Sequence, residues 1–130
     1  MGTKWVPGGG GINGLPADLD LSPLIGREVG FVGFGQHQVQ LGFDGDNVHI
    51  SIESDYAVRG RDGREQRFVA ARDGAAPLVA LLGSTVAAAS GSTDGTLTVA
   101  FTSGATLTIY ESDDPYESYQ LHFGEGLIIV

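Results

Sequence analysis

The sequence predicts a mostly β protein, with two related β-meander halves packed as a sandwich or a partly open barrel and one short helix near 75–82. Three observations lead to this fold class. Short stretches of apolar and polar residues alternate along much of the chain, as they do in half-buried strands. The 130 residues include 21 glycines, which suits a chain with many tight turns. Residues 24–55 and 81–113 also repeat one pattern.

The internal repeat has a recognisable order of features. Each copy begins with Leu-Ile-Gly or Leu-Leu-Gly, passes a valine, reaches an alternating strand that ends in Phe, and closes on Glu-Ser-Asp. The matched positions are Gly26 with Gly83, Val29 with Val86, Phe43 with Phe101, and Glu53–Asp55 with Glu111–Asp113. A duplicated unit of this length predicts two similar halves within one domain.

The first half begins after a glycine-rich stretch. Residues 1–14 include four consecutive glycines and predict a flexible arm, so we place the single domain at 15–130. Pro16–Ile25 contains aspartates and a Ser-Pro step, which predict a single helical turn. Residues 29–34 follow as a short strand, in which the glycines indicate a bulge or a corner.

The two hairpins of the repeat need loops of different length. In the first, apolar residues occupy odd positions up to Phe43 and even positions from Val48, which requires an even loop, either Asp44-Gly45 or Asp44–Asn47. In the second they stay odd, and Thr102–Gly104 fits a three-residue turn with glycine in the left-handed conformation. The repeats therefore slip by one residue, and the Glu-Ser-Asp match either needs a compensating bulge or is chance.

The remaining segments complete the prediction. Tyr56–Val58 extends the preceding strand, and Gln66–Ala71 returns as another after a turn. Ala75–Leu82 is the helix, and its apolar composition predicts burial between the halves. The apolar end, Leu127–Val130, is expected to fold back on Tyr119–Phe123 as a hairpin. A monomer is therefore favoured, and a homodimer through the C-terminal strand is the alternative.

The inward positions of these elements define the predicted core. Its members are Val29, Phe31, Val39, Leu41, Phe43, Val48, Ile50, Ile52, Leu78, Leu81, Val86, Leu97, Val99, Phe101, Leu107, Ile109, Leu121 and Phe123.

Charge indicates what kind of partner the chain can bind. The formal net charge is −9, yet five arginines and two acidic residues fall within 59–72, which gives +3 there and −12 elsewhere. Such an acidic protein repels nucleic acid and favours a basic protein partner. The sequence has no cysteine, no recognisable signal peptide and no stretch that could span a membrane, so we expect a cytoplasmic protein without disulfides.

Patterns typical of catalysis and of cofactor binding are not found in the sequence. The histidines His37, His49 and His122 have no paired ligand spacing, so we predict no metal site. Asp44–Asn47 lacks the later ligands of a calcium loop and is better explained as a turn. No phosphate-binding glycine pattern or serine nucleophile elbow is present. We therefore predict no catalytic residues, no cofactor and a protein that is not an enzyme.

Acidic residues supply the candidate binding surface. Its members end the two copies of the repeat or follow the second: Glu53, Asp55, Glu111, Asp113, Asp114, Tyr116, Glu117 and Tyr119. A solvated sheet edge would explain the same residues. The alternative function is a small-ligand-binding or hydrolytic β domain that uses the clustered carboxylates Glu53, Glu111 and Glu117 with His122.

The order of these motifs also resembles a known pattern. The segments that carry it are Leu24–Val29, Val39–Phe43, Ile52-Glu53, Leu81–Val86, Gly95–Leu107 and Tyr116–Tyr119. Together they resemble an uncharacterised family of small bacterial proteins, a domain of unknown function. Small families of this kind often resemble immunity proteins of bacterial toxin systems. By analogy, the resemblance implies an immunity protein that binds and neutralises a basic toxin.

Overall fold

The computed structural model of the chain describes residues 20–45, 48–111, 119–123 and 126–129. These residues form ten strands, one short α-helix, α1 (Ala75–Val79), and two 3₁₀ turns, Ser22–Leu24 and Ala71–Gly74. The strands are β1 (Val29–Phe34), β2 (Val39–Phe43), β3 (Val48–Ile52), β4 (Tyr56–Arg59), β5 (Glu65–Phe68), β6 (Val86–Gly91), β7 (Leu97–Phe101), β8 (Thr106–Ile109), β9 (Tyr119–Phe123) and β10 (Gly126–Ile129). None of the described helices could cross a membrane.

The strands form two antiparallel five-stranded sheets around one apolar core, which confirms the mostly β sandwich of two related halves. The first sheet has the order β1-β2-β3-β9-β10 and the second β5-β4-β8-β7-β6. Each copy of the repeat therefore builds a three-stranded meander in one sheet. The hairpin that follows each meander joins the sheet of the other copy: β4–β5 pairs in the sheet of β6–β8, and β9–β10 in the sheet of β1–β3.

This exchange of hairpins corrects the prediction that Tyr56–Val58 extends the preceding strand. β3 ends at Ile52, and the chain crosses to the second sheet, where Tyr56 pairs with Ile109. The even positions from Ile52 through Ser54 to Tyr56 all stay buried across the change of sheet. The apolar alternation therefore continues without a break, and it cannot reveal that the strand partners have changed.

The two copies meet through reciprocal backbone hydrogen bonds around an isolated bridge between Glu28 and Thr85. The bonds run from Gly26 N to Val86 O (2.8 Å), Gly83 N to Val29 O (2.8 Å), Val29 N to Ser84 O (2.9 Å) and Val86 N to Arg27 O (2.8 Å). Each residue of one segment thus has a counterpart with the same role in the other: Gly26 and Gly83, Arg27 and Ser84, Glu28 and Thr85, and Val29 and Val86. We refer to residues 26–29 and 83–86 as the junction.

The glycines of the junction need the left-handed conformation. The φ angles of Gly26 and Gly83 are 84° and 85°, which side chains other than that of glycine rarely adopt. A bulge then follows at the same place in both copies, between Val29 and Phe31 and between Val86 and Ala88. The repeated Leu-x-Gly-x-x-Val motif therefore encodes the contact between the halves.

Both predicted hairpin loops are present, and they resolve the Glu-Ser-Asp match. Loop 44–47 has four residues, and Thr102–Gly104 has three, with Gly104 at a φ of 98°. Beyond the loops, Ile52 pairs with Tyr119 as Ile109 pairs with Tyr56. Ile52 and Ile109 are therefore equivalent, and the residue matching Glu53 is Tyr110 rather than Glu111. The match is chance.

The predicted core is buried, with two departures. Phe123 is half-buried against the core, whereas Phe31 is 55% exposed and the prediction was wrong. The bulge at Gly30 shifts the alternation by one residue, so that Val32 packs against the core and Phe31 points outward. Buried residues that the prediction missed include Leu21, Leu24, Tyr56, Val58, Ala71, Ala105 and Tyr119.

The helix and the chain terminus are partly as expected. Leu78 and Leu81 are buried, but Val79 and Leu82 are about half exposed, so the helical segment covers the core with one face instead of being enclosed. β10 folds back on β9 as an antiparallel hairpin, as predicted, and lies at the edge of the first sheet. The predicted arm at 1–14 and Val130 lie outside the described residues.

Candidate functional site

The first crossover between the sheets, residues 53–55, lies beside the described start of the second, residues 110–111, at one end of the sandwich. Ser54 Oγ donates a hydrogen bond to the Tyr110 carbonyl (2.6 Å), and Tyr110 N donates to the Asp55 carbonyl (3.0 Å). Glu53, Asp55 and Glu111 are thus brought to the same end of the fold. We refer to residues 53–55, 92–96 and 110–111 as the crossover end. Asp113, Asp114, Tyr116 and Glu117 lie outside the described residues.

The crossover end is acidic. Its segments carry the carboxylates of Glu53, Asp55, Asp94 and Glu111 and no basic residue. Arg67, on β5, forms an ion pair with Asp55 (Nη2 to Oδ2, 3.2 Å) and places its guanidinium 4.1 Å from the centre of the Tyr110 ring. Hydrogen bonds, first from the Ser92 side chain and then from Thr96 N, hold the pKa of Asp94 below its usual range.

Tyr119 does not belong to this surface, because its side chain is fully buried. β9 turns alternate residues inward, and Tyr119 is one of them. Its hydroxyl donates to the Gly95 carbonyl (2.6 Å). Burial raises the pKa of Tyr119 strongly, and the negative charges of Glu111 and Asp94 raise it further. The phenol therefore stays protonated and acts as a structural donor beneath the crossover end.

The opposite end of the sandwich contains an open cleft of about 870 Å³. Its walls are the β4–β5 turn, the segment 80–85 that follows α1, and the β7–β8 turn. Arginines belong to the first wall and hydroxyl residues to the other two, and the apolar residues of the lining are referred to as the floor. We refer to this space as the junction cleft.

The carboxylates of the small-ligand alternative do not line the junction cleft. Among the described residues, its walls contain neither Glu53 nor Glu111, which lie at the crossover end, nor His122. Glu117 lies outside the described residues. No observation in the described part of the chain favours an acid–base site built from these groups.

His122 instead stacks on His49. The two residues are direct cross-strand partners in β3 and β9, with ring centroids 4.0 Å apart and ring planes at 16°. Burial lowers the pKa of both imidazoles, and the charge of His49 lowers that of His122 further. Their described surroundings contain no third ligand that would complete a group suited to a metal ion.

Sequence reasoning missed the histidine pair because it depends on the pairing of β3 with β9, which are far apart in the chain. The alternation assigns His49 and His122 to the outer faces of their strands, and that was the only signal available. The junction cleft was also missed, because three separate segments form it.

Residues 21–130 match a family of unknown function, DUF6188. The chain belongs to this family. No curated protein and no solved structure matches it. The resemblance inferred from the motifs is therefore confirmed at the level of an uncharacterised family.

Proposed function

We propose that this member of the family is a non-enzymatic acidic protein-binding module, and that it binds a basic protein through the crossover end. The observation that carries the proposal is the pair of hydrogen bonds between the two crossovers, which gathers carboxylates from both copies of the repeat. The contact joins the segments that carry Glu53 and Asp55 of the first copy to the segment that carries Glu111.

Electrostatics supports this assignment. Four carboxylates at the crossover end are accompanied by one nearby guanidinium, that of Arg67, and the whole chain carries −9. A surface of one sign attracts a partner of opposite sign at a distance and increases the association rate. The partner class that we propose is a basic bacterial toxin, which the module would neutralise by binding.

The test begins with affinity capture from the native host at low and at high salt. The captured protein is then measured for association rate against the wild type and the double variant Glu53→Gln, Glu111→Gln. Glutamine keeps the shape of the side chain, so the change removes the charge and replaces one acceptor oxygen by an amide NH2 group. We expect the on-rate to fall severalfold and its dependence on salt to weaken.

A control variant removes the same charge elsewhere. Glu28 and Asp73 are exposed and lie outside the crossover end, so Glu28→Gln with Asp73→Asn should leave most of the association rate intact. Equal losses in the two double variants would show that net charge, not this surface, determines binding. Recovery of no protein partner at either salt concentration would refute the proposal itself.

A further inference from the structure

The junction cleft lies beside the second copy of the repeat. In the first copy, the Arg27 side chain spans the matching space: its Nε donates to the Pro23 carbonyl (2.5 Å) and its Nη1 to the Asp44 carbonyl (2.7 Å). A Cβ added at Gly45 would collide with that guanidinium. The first copy therefore fills this space with its own side chain.

The second copy has a small residue at the same place. Ser84 matches Arg27, because the amide of each bonds to the carbonyl of the leucine three residues earlier, Leu81 or Leu24. Thr102 matches Asp44, because Thr102 N donates to the Thr85 carbonyl (2.8 Å) as Asp44 N donates to that of Glu28 (3.0 Å). Ser84 and Thr102 both line the junction cleft. The second copy thus has a short Ser84 side chain beside the cleft, at the position where the first copy has the long side chain of Arg27.

Unpaired positive charge lines one wall. Arg61 and Arg64 come from the β4–β5 turn, and neither has an acidic partner within ion-pair distance among the described residues. The same wall also carries two acidic residues, of which Glu65 is in an ion pair and Asp62 keeps its charge while it accepts a backbone hydrogen bond. Asp62 Oδ1 accepts a hydrogen bond from Arg64 N (3.0 Å), and Glu65 pairs with Arg59 (3.6 Å).

The facing walls add hydrogen-bond donors and an apolar surface. Ser84, Thr85, Thr102 and Ser103 supply hydroxyl groups. Val58, Pro77 and Leu81 supply apolar contacts, and Val58 and Leu81 belong to the buried core. Donors that converge beside an apolar floor are the usual composition of a small-molecule site, and about 870 Å³ is within the usual range of volumes.

We propose that the junction cleft binds a small organic anion, with a carboxylate or phosphate group at Arg61 and Arg64 and an apolar body on the floor. Guanidinium groups recognise such oxyanions through parallel hydrogen bonds. A cationic ligand would instead be repelled by the two guanidiniums, for which the described residues provide no ion-pair partner. A nucleic acid would meet the −12 charge of the chain outside 59–72.

The test is an amide NMR titration of the full chain at constant ionic strength. The probes are phenyl phosphate, benzoate and inorganic phosphate, with neutral benzyl alcohol and cationic arginine amide as comparisons. We expect phenyl phosphate or benzoate to shift amides in 60–66, 80–85 and 102–105 and to bind more tightly than inorganic phosphate. Whichever of the two aromatic anions binds more tightly identifies the preferred oxyanion.

Single arginine variants give the decisive comparison. Arg61→Gln and Arg64→Gln should each weaken the binding of that anion about tenfold, because each removes charge-assisted hydrogen bonds. Arg72→Gln is the control with the same change of charge, since Arg72 is exposed and lies outside the cleft. Equal effects of all three variants, equal binding of benzyl alcohol, stronger binding of arginine amide, or no shifts at these amides would each overturn the proposal.

Discussion

Two buried tyrosines occupy matching positions in the exchanged hairpins, and removing their hydroxyls should have unequal effects. Tyr119 and Tyr56 pair with Ile52 and Ile109, respectively, and both are fully buried. Among the described residues, the Tyr119 hydroxyl has one backbone partner, the carbonyl of Gly95. The Tyr56 hydroxyl has two, because it donates to a carbonyl, that of Ala71, and accepts from an amide, that of Gly74.

The expected losses follow from the number of buried groups left without a partner. Each such group costs about 1–3 kcal/mol. Tyr119→Phe leaves one buried acceptor without a hydrogen bond and should lower the free energy of unfolding by about 1.5 kcal/mol. Tyr56→Phe leaves one buried donor and one buried acceptor without a hydrogen bond and should lower the free energy of unfolding by about 3 kcal/mol. The folding equilibrium constant would then fall about tenfold in the first variant and more than about a hundredfold in the second.

Urea unfolding at equilibrium measures both losses. Tyr110→Phe is the matched control, because the Tyr110 ring is half-exposed and contacts Arg67 through its face. This change should lower the free energy of unfolding by less than about 0.5 kcal/mol. The midpoint should move while the slope with urea stays constant, since the same surface is exposed on unfolding. If Tyr56→Phe proves no more destabilising than Tyr119→Phe, the assignment of stability to these hydrogen bonds is wrong.

Two further predictions concern the histidine pair and the junction. Because the pKa values of His49 and His122 lie below the usual value of about 6.5, their contribution to stability is complete above that pH and is lost as the pH falls through the lowered values. The urea midpoint of the wild type should therefore fall between about pH 7 and pH 5. The fall should be smaller in His49→Gln and as large as in the wild type in His37→Gln, the control at an exposed position. Identical pH profiles in all three proteins would contradict this. Gly26→Ala and Gly83→Ala should each cost about 1 kcal/mol in thermal unfolding, because both glycines have positive φ in matching roles, and a cost at only one of them would contradict the equivalence.

Local chemistry made much of the fold predictable. The alternation around Phe43 and Phe101 gave the parity of both hairpin loops, since inward positions must stay inward across a turn. Gly104 marked the three-residue turn because its conformation favours glycine. Both signals depend on residues within a few positions of one another, where sequence patterns are most informative.

Features that depend on distant strands were not predictable. Nothing in the alternation from Ile52 to Tyr56 distinguishes one long strand from a change of sheet. Phe31 was misplaced because a single extra residue in a bulge reverses the faces that follow it. The junction cleft depends on Ser84 standing where the first copy has Arg27, a difference visible in the aligned repeats but without meaning until the contacts of Arg27 are known.

The exchange of hairpins also determines the order in which the protein can fold during synthesis. The meander β1–β3 emerges early, yet β3 gains its second neighbour only when β9 has been made, after five further strands. β4–β5 must likewise wait for β8. Such long-range pairing slows folding and leaves strand edges open in the nascent chain. The second sheet can therefore be completed only after β8 has been made, and the first only after β9 and β10, so that neither copy of the repeat can complete a sheet from its own strands.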